Sequence, residues 1–387
     1  MSSINATLLR LALQQYRILL CSSKSQILLH SRSFGFQSSL LSLSWQARRS
    51  GEETLRGKWM HAKPTATVSR VIAQFSMRRI HNEKTEITSE RGHTTVEGVC
   101  RRWTERLQKE SIPEARVSVE YIVAYVLGNK TLHGVDAQCG LSEEQLQEVD
   151  TLCERRLQHE PVQYVLGKWD FDDIELKLRP PVFIPRPETE ELVGLAAERI
   201  ERMTNNLHSE AHLLELCCGS GAITLALLHK FPLLQAVAVD VSCEACSLTE
   251  ENAQRLGLTD RLTVVQGRVG DEAVQKRLKV LSPFNILVSN PPYIPSHQLS
   301  TLEPQILMYE DQAALDGGED GLNVVRDILK LCPYLLNSNS DILMEIQPGQ
   351  PDEIEQIVSD VKEPHLHFVS SYNDYLERER FCHLRTV

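Results

Sequence analysis

The sequence predicts an α/β fold: an open, doubly wound sheet that closes with an antiparallel pair of strands, preceded by a small all-α domain and a β-hairpin linker. Three observations predict it. From about Leu213 onward, the short apolar runs "HLLELC", "QAVAVD", "RLTVVQ", "FNILVS" and "DILMEI" alternate with stretches of helical periodicity, the pattern of a parallel sheet covered on both faces. Ahead of them, residues 91–163 show helical periodicity throughout. At the far end, "LHFVSSYNDYLERERFCHLRT" reads as two strands about a polar turn, which distinguishes the fold from a plain dinucleotide domain.

The first 90 residues stand apart in charge. They carry 13 Lys/Arg against 5 Asp/Glu, an excess of 8 positive charges that leaves −19 on the rest of a chain whose total is −11. No acidic residue precedes Glu52. Leu9, Leu13, Tyr16 and Leu20 share one helical face, and Arg10 and Arg17 share another. This is the pattern of an amphipathic organelle-targeting presequence; a secretory signal needs an apolar core without Arg10, Gln14, Gln15 and Arg17 inside it. Import into mitochondria, with the matrix as destination, is the expectation, and residues from about 40 to 90 read as a patternless linker. No later stretch reaches the roughly 18–20 apolar residues that a membrane span needs, so no insertion is expected. The acidic body argues against a large non-specific nucleic-acid surface, and no direct nucleic-acid binding is expected.

Order is expected from about Thr95. "VEGVCRRWTERLQKE", "EARVSVEYIVAYVLG" and "LSEEQLQEVDTLCERRLQ" each read as a helix. Val117, Tyr121, Ile122 and Val126 give the second its expected buried face, with Gly128 as its stop, and Ser142 caps the third. Residues 164–190 alternate apolar and polar positions with Pro punctuation, a hairpin linker leading into a helix at Glu188. Residues 191–387 then form the sheet domain, with helices over "GAITLALLHKF", "CEACSLTEENAQRLG" and "GLNVVRDILKLCPYLL". Ser242 caps the second of these and Gly257 ends it.

The first strand of the sheet runs into "ELCCGSGAI". Gly219 and Gly221 allow a tight turn and a close backbone approach to a ligand, with Cys217, Cys218 and Ser220 alongside. The third glycine of the dinucleotide fingerprint is missing, Thr224 standing in its place, which lowers the NAD reading. Asp240 ends the next strand, where a carboxylate can accept both hydroxyls of a ribose. Nothing beside the loop suits a polyphosphate: there is no P-loop, and Lys230 lies at the far end of the following helix. Glu215, just before the loop, would repel a pyrophosphate and attract a cation. S-adenosylmethionine carries both a ribose and positive charge, so these electrostatics favour a methyl donor.

At this point the chain resembles a family. "ELCCGSGAI", "AVDVS" and "SNPPY" are similar to the successive motifs of class I S-adenosylmethionine-dependent methyltransferases, whose sheet is Rossmann-like. "EPVQYVLGKWDF", "FIPRPETEELV", "EPQILMYEDQAALDGGEDGLNVVRDIL" and "LMEIQPGQ" extend the resemblance to the protein-(glutamine-N5) methyltransferases that act on peptide-chain release factors, over roughly residues 95–387. A bacterial-type enzyme behind a presequence resembles the mitochondrial form. The resemblance implies S-adenosylmethionine as co-substrate, no metal, mitochondrial release factors as protein substrates presenting a Gly-Gly-Gln loop, and action as a monomer. It implies a donor site at Glu215, Cys217, Cys218, Gly219, Ser220, Gly221, Asp240, Arg268, Val269 and Asn290, and a catalytic turn at Asn290, Pro291, Pro292 and Tyr293. N6-adenine methylation of DNA or RNA is the alternative, because N-P-P-Y serves both chemistries. Pro185-Arg186-Pro187-Glu188, where relatives acting on a ribosomal protein tend to have Pro-Arg-Ser-Pro, favours the release-factor branch.

Three positions depart from the family pattern. Glu215-Leu216-Cys217 stands where Asp-Leu-Gly is common, Arg268-Val269 where many members carry an Asp and a large apolar residue, and Glu377 where a Gly is usual. "LDGGEDG", 315–321, reads as a Gly-rich loop and helix cap without chemistry. The 10 cysteines follow no repeated spacing; Cys243 and Cys246 form a lone C-x-x-C, and adjacent Cys217 and Cys218 cannot form an ordinary bridge. By itself, a Pro-Pro pair after a strand is a rigid turn. In N-P-P-Y it has a use: Asn290 Oδ1 and the Pro291 carbonyl can accept the two hydrogens of a planar NH2, the prolines hold those acceptors in place, and Tyr293 can stack on the amide.

Overall fold

A computed structural model describes residues 94–204, 210–360 and 365–387. The expected presequence and linker over 1–90 lie outside the described residues, which all fall within one compact unit, Ile87–Val387.

The chain opens with α1 (Val96–Lys109), α2 (Ala115–Val126), α3 (Glu143–Leu157) and the short α4 (Val162–Leu166). Their ends follow local chemistry. Thr95 accepts from the Gly98 N–H at the start of α1, and Ser142 and Gln145 form a reciprocal capping box on α3, a device worth about 1 kcal/mol. The buried face of α2 differs from the expectation: Val119, Ile122 and Val123 are fully buried, Tyr121 and Val126 pack beside them, and Val117 lies outside this core. The helix starts with Ala115 inside, which rotates the apolar stripe away from Val117. A further correction concerns α4, which occupies the start of the expected hairpin linker. Its five residues are too few to display a period, and Gly167, at φ +70°, ends it. The hairpin itself is β1 (Lys168–Phe171) against β2 (Ile174–Lys177).

Next come α5 (Thr189–Met203), β3 (Ala211–Leu216), α6 (Ala222–Lys230), β4 (Leu234–Asp240), α7 (Cys243–Leu256), β5 (Leu262–Gln266), α8 (Glu272–Leu281) and β6 (Phe284–Ser289). Beyond them lie β7 (Ile294–Pro295), α9 (Pro304–Tyr309), β8 (Asp316–Gly318), α10 (Asn323–Leu331), β9 (Leu336–Glu345), α11 (Gln350–Ser359), β10 (Leu366–Asn373) and β11 (Glu379–Thr386). The main sheet has seven strands in the order β10-β11-β9-β6-β3-β4-β5. Its pairs are parallel from β5 to β9, and β11 and β10 then add antiparallel, as the terminal sequence predicts. Ser242 caps α7 and Gly257 ends it at φ +70°, also as expected. Helices α8 and α11 were not among the sequence expectations; each buries few side chains, Val274 and Leu278 in α8. The expected helix through Leu336 stops at Leu331, because Pro333 cannot continue it.

The doubly apolar runs serve two cores. Leu213, Ile286 and Leu343 face one layer with α5 and α6, and Leu214, Leu287 and Ile342 face the other with α8, α10 and α11. Each such fully buried side chain contributes roughly 1.5–3 kcal/mol. The parallel registers, Leu216 opposite Ser289 and Asp240 opposite Gln266, bring the C-terminal ends of β3, β4, β5 and β6 to one edge. That edge is where an open α/β sheet binds ligands.

Candidate active site

The glycine loop leaves β3 through three residues with left-handed backbone: Cys217 (φ +62°), Gly219 (φ +56°) and Gly221 (φ +80°). Helix α7 props it from outside. Thr249 donates to the Gly219 carbonyl at 3.0 Å, and the fully buried Asn252 donates to the Ser220 carbonyl at 3.1 Å. Asn252 also accepts from the Lys177 N–H at 2.7 Å, which ties the β1–β2 hairpin to the loop. A Cβ on Gly221 would stand 2.9 Å from Thr249, whereas one on Gly219 would meet no atom within 4 Å. Gly219 therefore leaves room on the ligand side, and Gly221 lets α7 pack.

Two acids flank the loop. Asp240 accepts the Gly219 N–H at 2.8 Å on one oxygen and the Ser242 N–H at 2.9 Å on the other. Each oxygen keeps a further lone pair. Burial raises its pKa, against the opposing pull of those backbone donors. Glu215 is 1% exposed and accepts the Thr224 N–H at 2.9 Å, so it satisfies the N-terminal turn of α6 internally. Burial pushes its pKa up to about 8. Burial thus opposes the negative charge that the sequence reading places on Glu215, and a bound cation would favour it. Burial likewise raises the Cys217 and Cys218 thiols, which stay protonated.

The turn after β6 forms the facing wall. Asn290 Nδ2 donates to Thr189 Oγ1 at 3.4 Å, and Thr189 donates to Glu345 Oε2 at 2.7 Å. Tyr293 donates its hydroxyl to Glu345 Oε1 at 3.0 Å, and the Arg380 guanidinium lies 5.9 Å from its ring centre. The Tyr293 carbonyl accepts from Gln350 Nε2 at 3.1 Å. Strand β7 pairs with β8, so "LDGGEDG" backs the turn: Gly321 comes so close that a Cβ would stand 2.3 Å from the Tyr293 oxygen.

One cavity of about 400 Å³ is lined by both walls. It brings together Glu215, Cys217, Cys218, Gly219, Ser220, Asp240, Arg268, Val269, Asn290, Pro291, Pro292 and Tyr293. Gly221 does not line this cavity, and a Cβ there would point at Thr249. Arg186 and Glu188 also stand behind the wall. Arg186 grips both oxygens of the buried Glu310, at 2.7 and 2.9 Å, and Glu188 pairs with Arg378 at 3.0 Å. Sequence reasoning missed Thr189, Glu345, Gln350, Thr249 and Asn252; only Glu345, an acid inside the apolar run "DILMEI", left a signal, and the burial of the others shows only in the fold. Among the described residues no cluster of His, Cys, Asp and Glu is arranged to hold a metal ion, and no helix is long and apolar enough to cross a membrane.

Residues 99–167 match the family model of the PrmC N-terminal domain, and residues 199–338 that of the methyltransferase small domain. The chain is 43% identical over 288 residues to the human protein called MTRF1L release factor glutamine methyltransferase, covering 73% of this chain and 85% of that one. It is 34% identical to the release factor glutamine methyltransferase of Geobacter sulfurreducens, covering 65% of this chain and 84% of that one. The solved protein-(glutamine-N5) methyltransferase (release factor-specific) of Alicyclobacillus acidocaldarius matches with a TM-score of 0.34 and 23% identity, covering 52% of this chain and 94% of that one.

Proposed function

The chain belongs to the family of release factor glutamine methyltransferases, and we propose that it methylates the side-chain amide nitrogen (N5) of the glutamine in the Gly-Gly-Gln loop of mitochondrial peptide-chain release factors, using S-adenosylmethionine. The observation that carries the reading is a single cavity walled by the Gly219–Asp240 loop on one side and Asn290–Tyr293 on the other.

The residues present suit this donor. Gly219 leaves space where a side chain would intrude, Asp240 keeps free lone pairs for ribose hydroxyls, and Glu215 is a buried acid that a bound cation would help to ionise. The N-terminal turn of α6, already bonded to Glu215, is poorly placed to take a pyrophosphate. Val269 and Arg268 close the far wall. When bound, the donor supplies an electrophilic methyl group on a sulfonium.

An amide nitrogen is a weak nucleophile because its lone pair is delocalised into the carbonyl. Asn290 Oδ1 and the Pro291 carbonyl accept its two hydrogens and hold the NH2 so that the lone pair faces the methyl carbon. Pro291 and Pro292 keep those acceptors in place, and Tyr293 covers the flat amide. As positive charge grows on nitrogen, both acceptors bind it more strongly, which lowers the barrier and not merely the ground state. The surplus proton leaves after transfer, and no metal takes part.

In this reading the helical segment α1–α4 grips the release factor away from the cavity, and a single chain suffices. The basic, acid-free N-terminus supports import to the mitochondrial matrix, which a fluorescent fusion of residues 1–60 checks. The decisive assay offers labelled donor with an intact release factor, its Gln→Ala loop variant, DNA and RNA, read by mass spectrometry. Label on the loop glutamine alone is expected. Equal labelling of the loop variant, or preferential labelling of nucleic acid, rejects the glutamine assignment.

A further inference from the structure

We propose that Thr189 and Glu345 are positioning residues that set which way the Asn290 amide faces. The inference deepens the methyl-transfer reading above and rests on it.

Thr189 is the first residue of α5 and Glu345 the last of β9, 156 positions apart, yet their side chains meet beside the N-P-P-Y turn, with Thr189 at the cavity wall. They are 2% and 1% exposed, so neither turns to bulk water for a partner. A hydroxyl has one hydrogen to give. Thr189 gives it to Glu345 Oε2 at 2.7 Å and can then only accept from Asn290. Asn290 must therefore present its NH2 to Thr189, as it does at 3.4 Å, and its Oδ1 is left for the cavity. Burial raises the Glu345 pKa, against the pull of the Thr189 and Tyr293 hydrogen bonds and the Arg380 charge; in its ionised form the carboxylate only accepts and thus fixes the polarity of the chain Asn290 → Thr189 → Glu345. The same carboxylate accepts the Tyr293 hydroxyl at 3.0 Å, so both ends of the N-P-P-Y turn are held by one group.

The orientation has a chemical consequence. An Asn290 turned the other way would offer two donors to an amide NH2 that needs acceptors, and the lone pair would lose its alignment. Without the Thr189–Glu345 relay the two orientations differ little, and only one supports transfer. Gly219 and Asp240, on the loop after β3 and at the end of β4, make no hydrogen bond to this relay.

The test compares Thr189→Val, which keeps the shape and removes the hydroxyl, with Thr189→Ser, which keeps the hydroxyl. Thr189→Val is expected to lower kcat about 10- to 100-fold, with KM for the release factor and donor Kd within about twofold of the parent. Thr189→Ser is expected to recover most of that rate, and Glu345→Gln, which can donate as well as accept, to resemble Thr189→Val. An unchanged kcat in Thr189→Val overturns the proposal. So does an equal loss in the Val and Ser variants, or a loss accompanied by parallel falls in Tm and donor affinity, since packing alone would then explain it. If the parent labels nucleic acid instead of a release factor, the functional reading fails separately. The same variants assayed on that acceptor still decide the relay, because a planar amine makes the same demand on Asn290.

Discussion

The Gly219 N–H donates to the Asp240 carboxylate over 2.8 Å, so the glycine loop and the strand-end acid form one unit. Asp240→Ala removes both the acceptor proposed for the ribose and the anchor of the loop. Donor affinity should fall by about 1–3 kcal/mol, roughly 5- to 150-fold in Kd. Titration calorimetry with the donor measures it, and an unchanged Kd would remove Asp240 from the site.

Glu215 makes a pH-dependent contribution whose sign follows from its burial. Its pKa moves from 4.5 to about 8 on folding, so between those values the folded chain holds a proton that the unfolded chain has released. The stability this group contributes is therefore greatest at low pH, declines as pH rises above 4.5, and is least beyond about 8. Glu215→Gln keeps an acceptor for the Thr224 N–H and does not ionise. The Tm difference between variant and parent should shift in favour of the variant from pH 5 to pH 9. A cationic donor should bind the parent more tightly as pH rises through about 8, a slope that Glu215→Gln should lack. A flat Tm difference across that range would count against a raised pKa.

What the sequence made legible was whatever repeats or stands at an element boundary. The five apolar runs, the caps at Ser142 and Ser242, and the antiparallel ending all follow from local chemistry, and the structure has them. Of the residues proposed to face the ligand, Asp240 is visible because it ends a strand, and Gly219 and Asn290 because they stand in the turns that follow one. The supports behind them are not, since Thr189, Asn252, Glu345 and Gln350 meet partners from 32 to 156 positions away. For Gly221, positive φ serves both to approach a ligand and to admit a neighbouring helix, and spacing alone did not reveal its closeness to Thr249. "LDGGEDG" was read as a loop without chemistry because the contact of Gly321 with the catalytic turn is tertiary.

Glu377, where the resemblance leads one to expect a glycine, has a left-handed backbone. It sits exposed at φ +59° in the β10–β11 turn, with its N–H bonded to the Asp374 carbonyl at 2.8 Å. A left-handed backbone costs a non-glycine residue roughly 1 kcal/mol. Glu377→Gly should therefore stabilise the fold by about 0.5–1 kcal/mol in urea unfolding while leaving methyl transfer unchanged. A destabilised variant would show that the Glu side chain contributes more than its backbone strain costs.

Gly321 tests whether the turn proposed as catalytic depends on its backing. At φ +81°, an added methyl would be strained and would stand 2.3 Å from the Tyr293 carbonyl oxygen and 2.7 Å from Gln350 Nε2. Something must move, and the neighbours are backbone and a side chain already bonded to that same carbonyl. The β7–β8 pairing, with the Ile294 N–H donating to Leu315 at 3.0 Å, passes any displacement on to the turn. Gly321→Ala should cost about 1–3 kcal/mol of stability. Assayed below its melting transition, it should also lose at least about tenfold in kcat, because the amide acceptors must be placed to a fraction of an ångström. Donor affinity should stay near the parent value, since Asp240 and Gly219 belong to β4 and to the loop after β3. A folded Gly321→Ala enzyme with the parent kcat would show that N-P-P-Y is held by its own prolines, without the glycine loop behind it.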